Sequence, residues 1–167
     1  MQPTNRDFRD LFYEFAAHRV RYLVVGAYAV THYSRPRFTK DLDIWVDPEP
    51  ENARRALEAL AAYGAPVRDL RVDDLVKPGN VFQIGITTTR IDILTSAEGL
   101  AFARCWPRRT AGEYMDTKVH YLGQRDLIRN KKAVARPQDL ADVARLEGKT
   151  EARRARRRAP SRRRRRP

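Results

Sequence analysis

The chain is poor in cysteine and histidine and has no long apolar run. Its single cysteine is Cys105, so no intrachain disulfide can form. Flanked by Arg104 and Trp106, that residue reads as an inert helix cysteine rather than a nucleophile. The three histidines, His18, His32 and His120, are scattered without ligand spacing, which argues against a zinc site. No Ser-His-Asp or Cys-His arrangement can be argued from this spacing. The longest nearly unbroken apolar stretch, Tyr22 to Val30, is too short to span a bilayer and is interrupted by Gly26. The opening residues, M-Q-P-T-N-R-D-F-R-D, lack the basic-then-apolar order of a signal peptide. The expectation is a soluble, cytoplasmic protein with no membrane partner.

What the chain has in abundance is positive charge. Its 167 residues carry a formal net charge of +13. Ten of the 34 basic and one of the 21 acidic residues lie between Glu151 and Pro167, a net +9. That leaves 24 basic and 20 acidic residues, a net +4, for Met1 to Thr150. The final stretch has no apolar face and repels itself, which predicts disorder. It reads as a nucleic-acid arm, a contact for an acidic partner, or an extension with no specific role. With 42% apolar residues the remainder can bury a sizeable core. The predicted organisation is one domain over 1–148 and a disordered basic tail over 149–167.

Periodicity gives the elements. Phe8, Leu11, Phe12 and Phe15 recur at helical spacing, predicting a helix over 5–19 capped by Asn5 or Thr4. Tyr22 to Val25 reads as a buried strand ended by Gly26, and Ala27 to Tyr33 as a short helix. Asp41 to Val46 is a second strand. Pro48 and Pro50 precede an alanine- and leucine-rich helix to Tyr63, stopped by Gly64 and Pro66. Two strands, 81–86 and 90–94, are joined at T-T-T. A helix is predicted over Ala97–Cys105, a last strand within Glu113–Tyr121, and helices over Arg125–Val134 and Pro137–Leu146. This order predicts an α/β (α+β) domain with a mixed sheet flanked by helices.

The second strand carries the chemistry. In K-D-L-D-I-W-V-D, residues 40–47, Asp41 and Asp43 share one face while Leu42 and Ile44 point to the core. Their Cα atoms are then about 6.5–7 Å apart. Two carboxylates aimed at one point are costly unless a cation lies between them. Oxygen ligands without nearby His or Cys suit magnesium. In R-I-D-I-L, residues 90–94, Asp92 points away from the face its two isoleucines bury. If the two strands are adjacent, three carboxylates meet, the ligand set for two magnesium ions about 3.5–4 Å apart in phosphoryl transfer. The same patterns also fit a solvated start to a strand and a solvent-facing Asp92. Gly26-Ala27, which follows a buried strand and opens a helix, supplies the kind of turn whose backbone N–H groups bind phosphate. Arg35, Arg37 and Lys40, with Thr39 as a polar helper, read either as holders of phosphate or as a solvated loop. Tyr28 and Tyr33 read as core or surface rather than a base-stacking platform.

The order G-A, a thirteen-residue spacer, D-L-D, then a strand bearing Asp92 resembles the nucleotidyltransferases of the DNA polymerase β superfamily. The phrasing V-V-G-A-Y-A-V-T-H-Y-S-R-P-R-F-T-K-D-L-D-I-W-V is similar to minimal bacterial members, including those related to the abortive-infection toxin group. N-K-K-A-V-A-R-P-Q-D-L-A-D-V, residues 130–143, resembles their basic helix and D-L-x-D helix. The resemblance implies a nucleotidyltransferase-like fold and transfer of a nucleoside monophosphate from a nucleoside triphosphate to an acceptor hydroxyl, with pyrophosphate released. It implies magnesium or manganese on Asp41, Asp43 and Asp92, the last helping to activate the acceptor. It assigns the phosphate turn to Gly26 and Ala27, and nucleotide or acceptor contacts to Lys131 or Lys132 and Arg136. Asp139 and Asp142 match the helix motif, either as functional groups or as partners of Arg136 and caps of the helix. Ala27 stands where the family commonly has Gly or Ser, so the turn keeps its N–H but offers no hydroxyl. The implied acceptor is an RNA 3′ end or a protein hydroxyl. Two other readings keep the fold without turnover: an inactive module that binds RNA or a toxin–antitoxin partner, and a nucleotide sensor.

Overall fold

The apolar stripe foreseen near the N-terminus becomes the inner face of α1 (Arg6–Ala17), which buries Phe8, Leu11, Phe12 and Phe15. Each such ring or branched chain contributes about 1.5–3 kcal/mol relative to exposure. The computed structural model describes residues 6–35, 39–86 and 89–158, with 86, 89 and everything from 149 onward as backbone alone. After α1 come β1 (Tyr22–Val24), α2 (Gly26–Tyr33), β2 (Asp41–Val46), α3 (Pro50–Tyr63), α4 (Val72–Val76), β3 (Val81–Ile86) and β4 (Thr89–Leu94). There follow α5 (Phe102–Cys105), a 3-10 turn at Trp106–Arg108, β5 (Thr110–Tyr114), β6 (Thr117–Tyr121), α6 (Gln124–Val134) and α7 (Pro137–Arg158). The strands form one mixed sheet in the order β3-β4-β2-β1-β6-β5. β2 is parallel to β4 and antiparallel to β1, and β1 is parallel to β6.

Local chemistry fixes the frame around β2. Pro50 starts α3, the Glu49 carboxylate accepts from the Glu51 and Asn52 N–H groups, and Gly64 closes the helix at φ 90°. Asn52 is fully buried and holds three chain segments together. Its Oδ1 accepts from Arg21 N at 2.7 Å, and its Nδ2 donates to Arg21 O at 3.0 Å and Asp47 O at 2.9 Å. Leu42, Ile44 and Val46 are buried on one face of β2, with Asp41, Asp43 and Trp45 on the other.

Local structure departs from the expectations in several places. The last strand expected within 113–121 is β6, and it pairs with an unforeseen strand, β5, in a hairpin whose two turn residues, Met115 and Asp116, have φ of 43° and 68°. Both lie in the left-handed region that a tight hairpin demands, yet neither is the Asn or Gly that usually marks such a turn. The helix expected from Ala97 begins only at Phe102, because Gly99 turns the chain at φ 72°. The one-turn helix α4 carries too few residues to show a period. α7 runs through Gly148 to Arg158, beyond the expected end at Leu146. One glycine costs a helix about 1 kcal/mol, and the alanines and arginines after it are strong helix formers. Of the tail expected to be disordered over 149–167, residues 149–158 continue α7, and 159–167 lie outside the described residues.

Candidate active site

The parallel pairing of β2 and β4 sets the site. In register, Asp43 lies opposite Asp92 and Asp41 opposite Arg90. Paired residues of adjacent strands are about 4.8 Å apart and send their side chains to the same face. The condition set by the sequence, that the two strands be neighbours, is met. All three carboxylates line one cleft of about 650 Å³, with Gly26, Ala27, Thr39, Arg90, Lys131 and Arg136. Asp92 is buried, at 7% exposure, while Asp41 and Asp43 are half-buried.

The G-A turn presses against this face. Val25 N donates to Asp43 O at 3.0 Å, and Gly26 then turns at φ 61° to open α2. A Cβ on Gly26 would overlap Asp43 Oδ2, so both the backbone angle and the space require glycine. The first-turn N–H groups of α2 have no intrahelical acceptor and no side-chain cap at Val25. They form an anion-attracting edge beside the carboxylates. Thr39 braces the start of β2, its hydroxyl 3.4 Å from Asp41 N. Arg37 lies outside the described residues.

The far wall comes from α6 and α7. The chain leaves α6 through Ala135 at φ 55°, and α7 folds back against it. Lys131, 8% exposed, then meets the carboxylates of α7: Nζ stands 2.6 Å from Asp139 Oδ1 and 3.3 Å from Asp142 Oδ2. Pairing of these aspartates with Arg136 was one of the readings the sequence left open; in the structure Lys131 takes them instead. Arg136 stays exposed on the rim of the cleft. Lys132 is not brought to the site: it points to solvent and pairs with Glu147 at 2.7 Å.

Arg90 is the site residue that sequence reasoning missed. Its Nη2 lies 3.2 Å from Asp41 Oδ2 and its Nε 3.0 Å from Asp92 Oδ1. The available signal was its place two residues before Asp92, on the same strand face. The other candidates stay apart from the cleft. Tyr28 packs edge-on against Phe8, and the Tyr33 hydroxyl bonds Leu122 O and Thr110 Oγ1, each at 2.8 Å. Burial pushes the Cys105 thiol up, leaving it protonated and inert.

The donor set suits a hard divalent cation, and two observations bear on the fit. Burial, and then the neighbouring Asp92, push the Asp43 carboxyl up to about 6, against the pull of Lys131. A cation at this point would remove that cost. Asp92 Oδ1 is buried and receives no directed hydrogen bond. Among the described residues no three His, Cys, Asp or Glu groups stand in ligating geometry about one point. The guanidinium of Arg90 lies between two of the three carboxylates instead. The three carboxylates suit the cation in donor chemistry, and in this arrangement Arg90 holds Asp41 and Asp92.

No family model matches the chain, and no curated protein matches it in sequence. Solved structures do. The lincosamide antibiotic adenylyltransferase LnuA, lincomycin-bound, is 14% identical, covers 88% of this chain and 98% of its own, and superposes with a TM-score of 0.56. A candidate nucleotidyltransferase from Thermotoga maritima is also 14% identical, covers 90% of each chain, and gives 0.53. The chain has a nucleotidyltransferase-like fold. At this identity the likeness is one of fold. Among the described residues no helix of the nucleotidyltransferase-like domain is long and apolar enough to cross a membrane.

Proposed function

We propose that the chain is a metal-dependent nucleotidyltransferase, which moves a nucleoside monophosphate from a nucleoside triphosphate to an acceptor hydroxyl. The observation that carries this reading is the register of Asp43 against Asp92, directly beside the Gly26 turn. The N–H groups of the turn receive phosphate oxygens. Asp41, Asp43 and Asp92 would hold magnesium or manganese, which when bound screens the phosphate charge and aligns the reacting oxygens. Asp92 takes the proton of the acceptor hydroxyl. The acceptor oxygen bonds to the α-phosphorus, and the bond to the leaving pyrophosphate breaks. Lys131, fixed by Asp139 and Asp142, supplies a positive charge facing Asp43, and Arg136 on the rim meets the outer phosphates. Replacing the second turn residue by Ala27 leaves this cradle intact, since backbone groups make it.

The motif phrasing favours the toxin-related group and, with it, an RNA 3′ end or a protein hydroxyl in the cytoplasm as acceptor. The antibiotic-modifying neighbour adds a small-molecule hydroxyl to that set. The second reading, an inactive module binding RNA or a partner protein, is favoured by the carboxylates' being held by Arg90. The two part on one experiment. The chain is incubated with each α-labelled nucleoside triphosphate, magnesium or manganese, and total RNA, beside an Asp41→Ala/Asp43→Ala variant. Label on RNA or protein, lost in the variant, supports the transferase and identifies base and acceptor together. No transfer with any nucleotide, with equal RNA binding by both chains, favours the binding module.

A further inference from the structure

Three of the cation–carboxylate clasps among the described residues differ in how tightly they close. Arg108 grips the buried Asp126 with two directed bonds of 2.9 and 2.8 Å. Lys131 meets Asp139 at 2.6 Å. Both lie in the range of strong charge-assisted bonds, about 2.7–2.9 Å or below. Arg90 does worse on the same kind of partner. Its bond to Asp41 is 3.2 Å long. Its Nε is 3.0 Å from Asp92 Oδ1, yet both atoms are buried without a directed hydrogen bond, so the N–H is misaimed. A guanidinium with five donors in a rigid fork is here left partly unused between two carboxylates.

That looseness has a use. A divalent cation and Arg90 compete for the same oxygens of Asp41 and Asp92. Arg90 also lines the cleft, half exposed, on the face toward which the Gly26 turn directs phosphate. We infer that Arg90 is a displaceable counter-cation: it holds Asp41 and Asp92 in the metal-free site and passes to the phosphate oxygens of the nucleotide when metal takes those carboxylates. The free protein therefore binds divalent metal weakly, and nucleotide and metal bind cooperatively, because each gives the other's displaced group a partner. This inference rests on the metal-binding reading of the three carboxylates.

The test is titration of the full chain with Mn²⁺, followed by electron paramagnetic resonance of the free ion, without nucleotide and then with a non-hydrolysable triphosphate. Wild type is compared with Arg90→Gln, which removes the charge, and Arg90→Lys, which keeps it. Thermal melts check that each variant folds. Expected are Mn²⁺ binding about tenfold tighter in Arg90→Gln than in wild type without nucleotide, and a nucleotide-induced gain that is large in wild type and small in Arg90→Gln. Arg90→Lys stays near wild type without nucleotide, which also guards against a folding artefact in the first variant. Equal Mn²⁺ affinity in wild type and Arg90→Gln overturns the inference while leaving the metal reading standing. No Mn²⁺ binding by either, with or without nucleotide, overturns the metal reading and this inference with it. Tighter metal binding in Arg90→Gln with an unchanged nucleotide gain overturns the transfer of Arg90 to phosphate.

Discussion

Replacing Asp43 by asparagine should stabilise the protein while removing its metal site. The carboxyl of Asp43 sits at about 6 instead of its ordinary 3.8, raised chiefly by burial and by Asp92. A folded-state value above the unfolded one means that the native state holds the proton more tightly. Ionisation of Asp43 thus opposes folding, and stability falls as pH rises from about 4 to about 6. The full penalty is the shift multiplied by 1.36 kcal/mol per unit, or about 3 kcal/mol above pH 7. Asparagine keeps the shape and removes the charge. Urea denaturation should therefore find Asp43→Asn more stable than wild type by about 3 kcal/mol at pH 8, by about half that at pH 5, and by almost nothing below about pH 3.5. In a thermal melt the gain at pH 8 corresponds to roughly 6–12 °C. Saturating Mn²⁺ should raise the wild-type melting point and leave that of the variant unchanged. A variant no more stable than wild type at pH 8, or a difference that does not change with pH, would refute the argument that Asp43 is held at a cost.

Other outcomes follow from the same geometry. Gly26→Ala places a Cβ on Asp43 Oδ2 at a left-handed backbone angle, so it should lower stability by about 1–3 kcal/mol in denaturation and weaken Mn²⁺ binding. Lys131→Met removes the ammonium between Asp139 and Asp142, and should cost about 3–5 kcal/mol in urea titrations, part of it regained on adding Asp139→Asn. Mn²⁺ affinity should decline as pH falls through about 6, where Asp43 takes up a proton, and stay level above pH 7; a flat profile between pH 5 and 8 would contradict metal binding through a raised Asp43 carboxyl.

The parts of this account that were legible in the chain are those written in short-range pattern. The four apolar residues of α1, the alternation of D-L-D-I-W-V and the Pro-to-Gly bracketing of α3 each define an element within a dozen residues. The pairing of Asp43 with Asp92 could be posed only as a condition, because it depends on which strand comes to lie beside β2. Register decides Arg90 as well: its partner Asp41 is 49 residues away, and nothing local announces the contact. The Lys131–Asp139 pair is hidden for a related reason. The fold-back at Ala135 joins residues eight apart that a continuous helix would hold on separate turns, and alanine gives no warning of a left-handed turn. The β5–β6 hairpin escapes in the same way, since Met115 and Asp116 adopt angles that sequence patterns assign to Asn and Gly. Lys131 and Lys132 are adjacent and identical in type, so only the direction in which each side chain leaves α6 separates the buried one from the solvated one.

The central claim is that Asp41, Asp43 and Asp92 together hold divalent metal against a triphosphate lying on the Gly26 turn. Crystals grown with manganese and a non-hydrolysable nucleoside triphosphate, measured for anomalous scattering, test it directly. The account predicts manganese peaks among these three carboxylates, phosphate oxygens at the N–H groups of Gly26 and Ala27, and Arg90 turned from Asp41 to the phosphates. Triphosphate bound elsewhere, or manganese absent from the carboxylates with nucleotide in place, would contradict it.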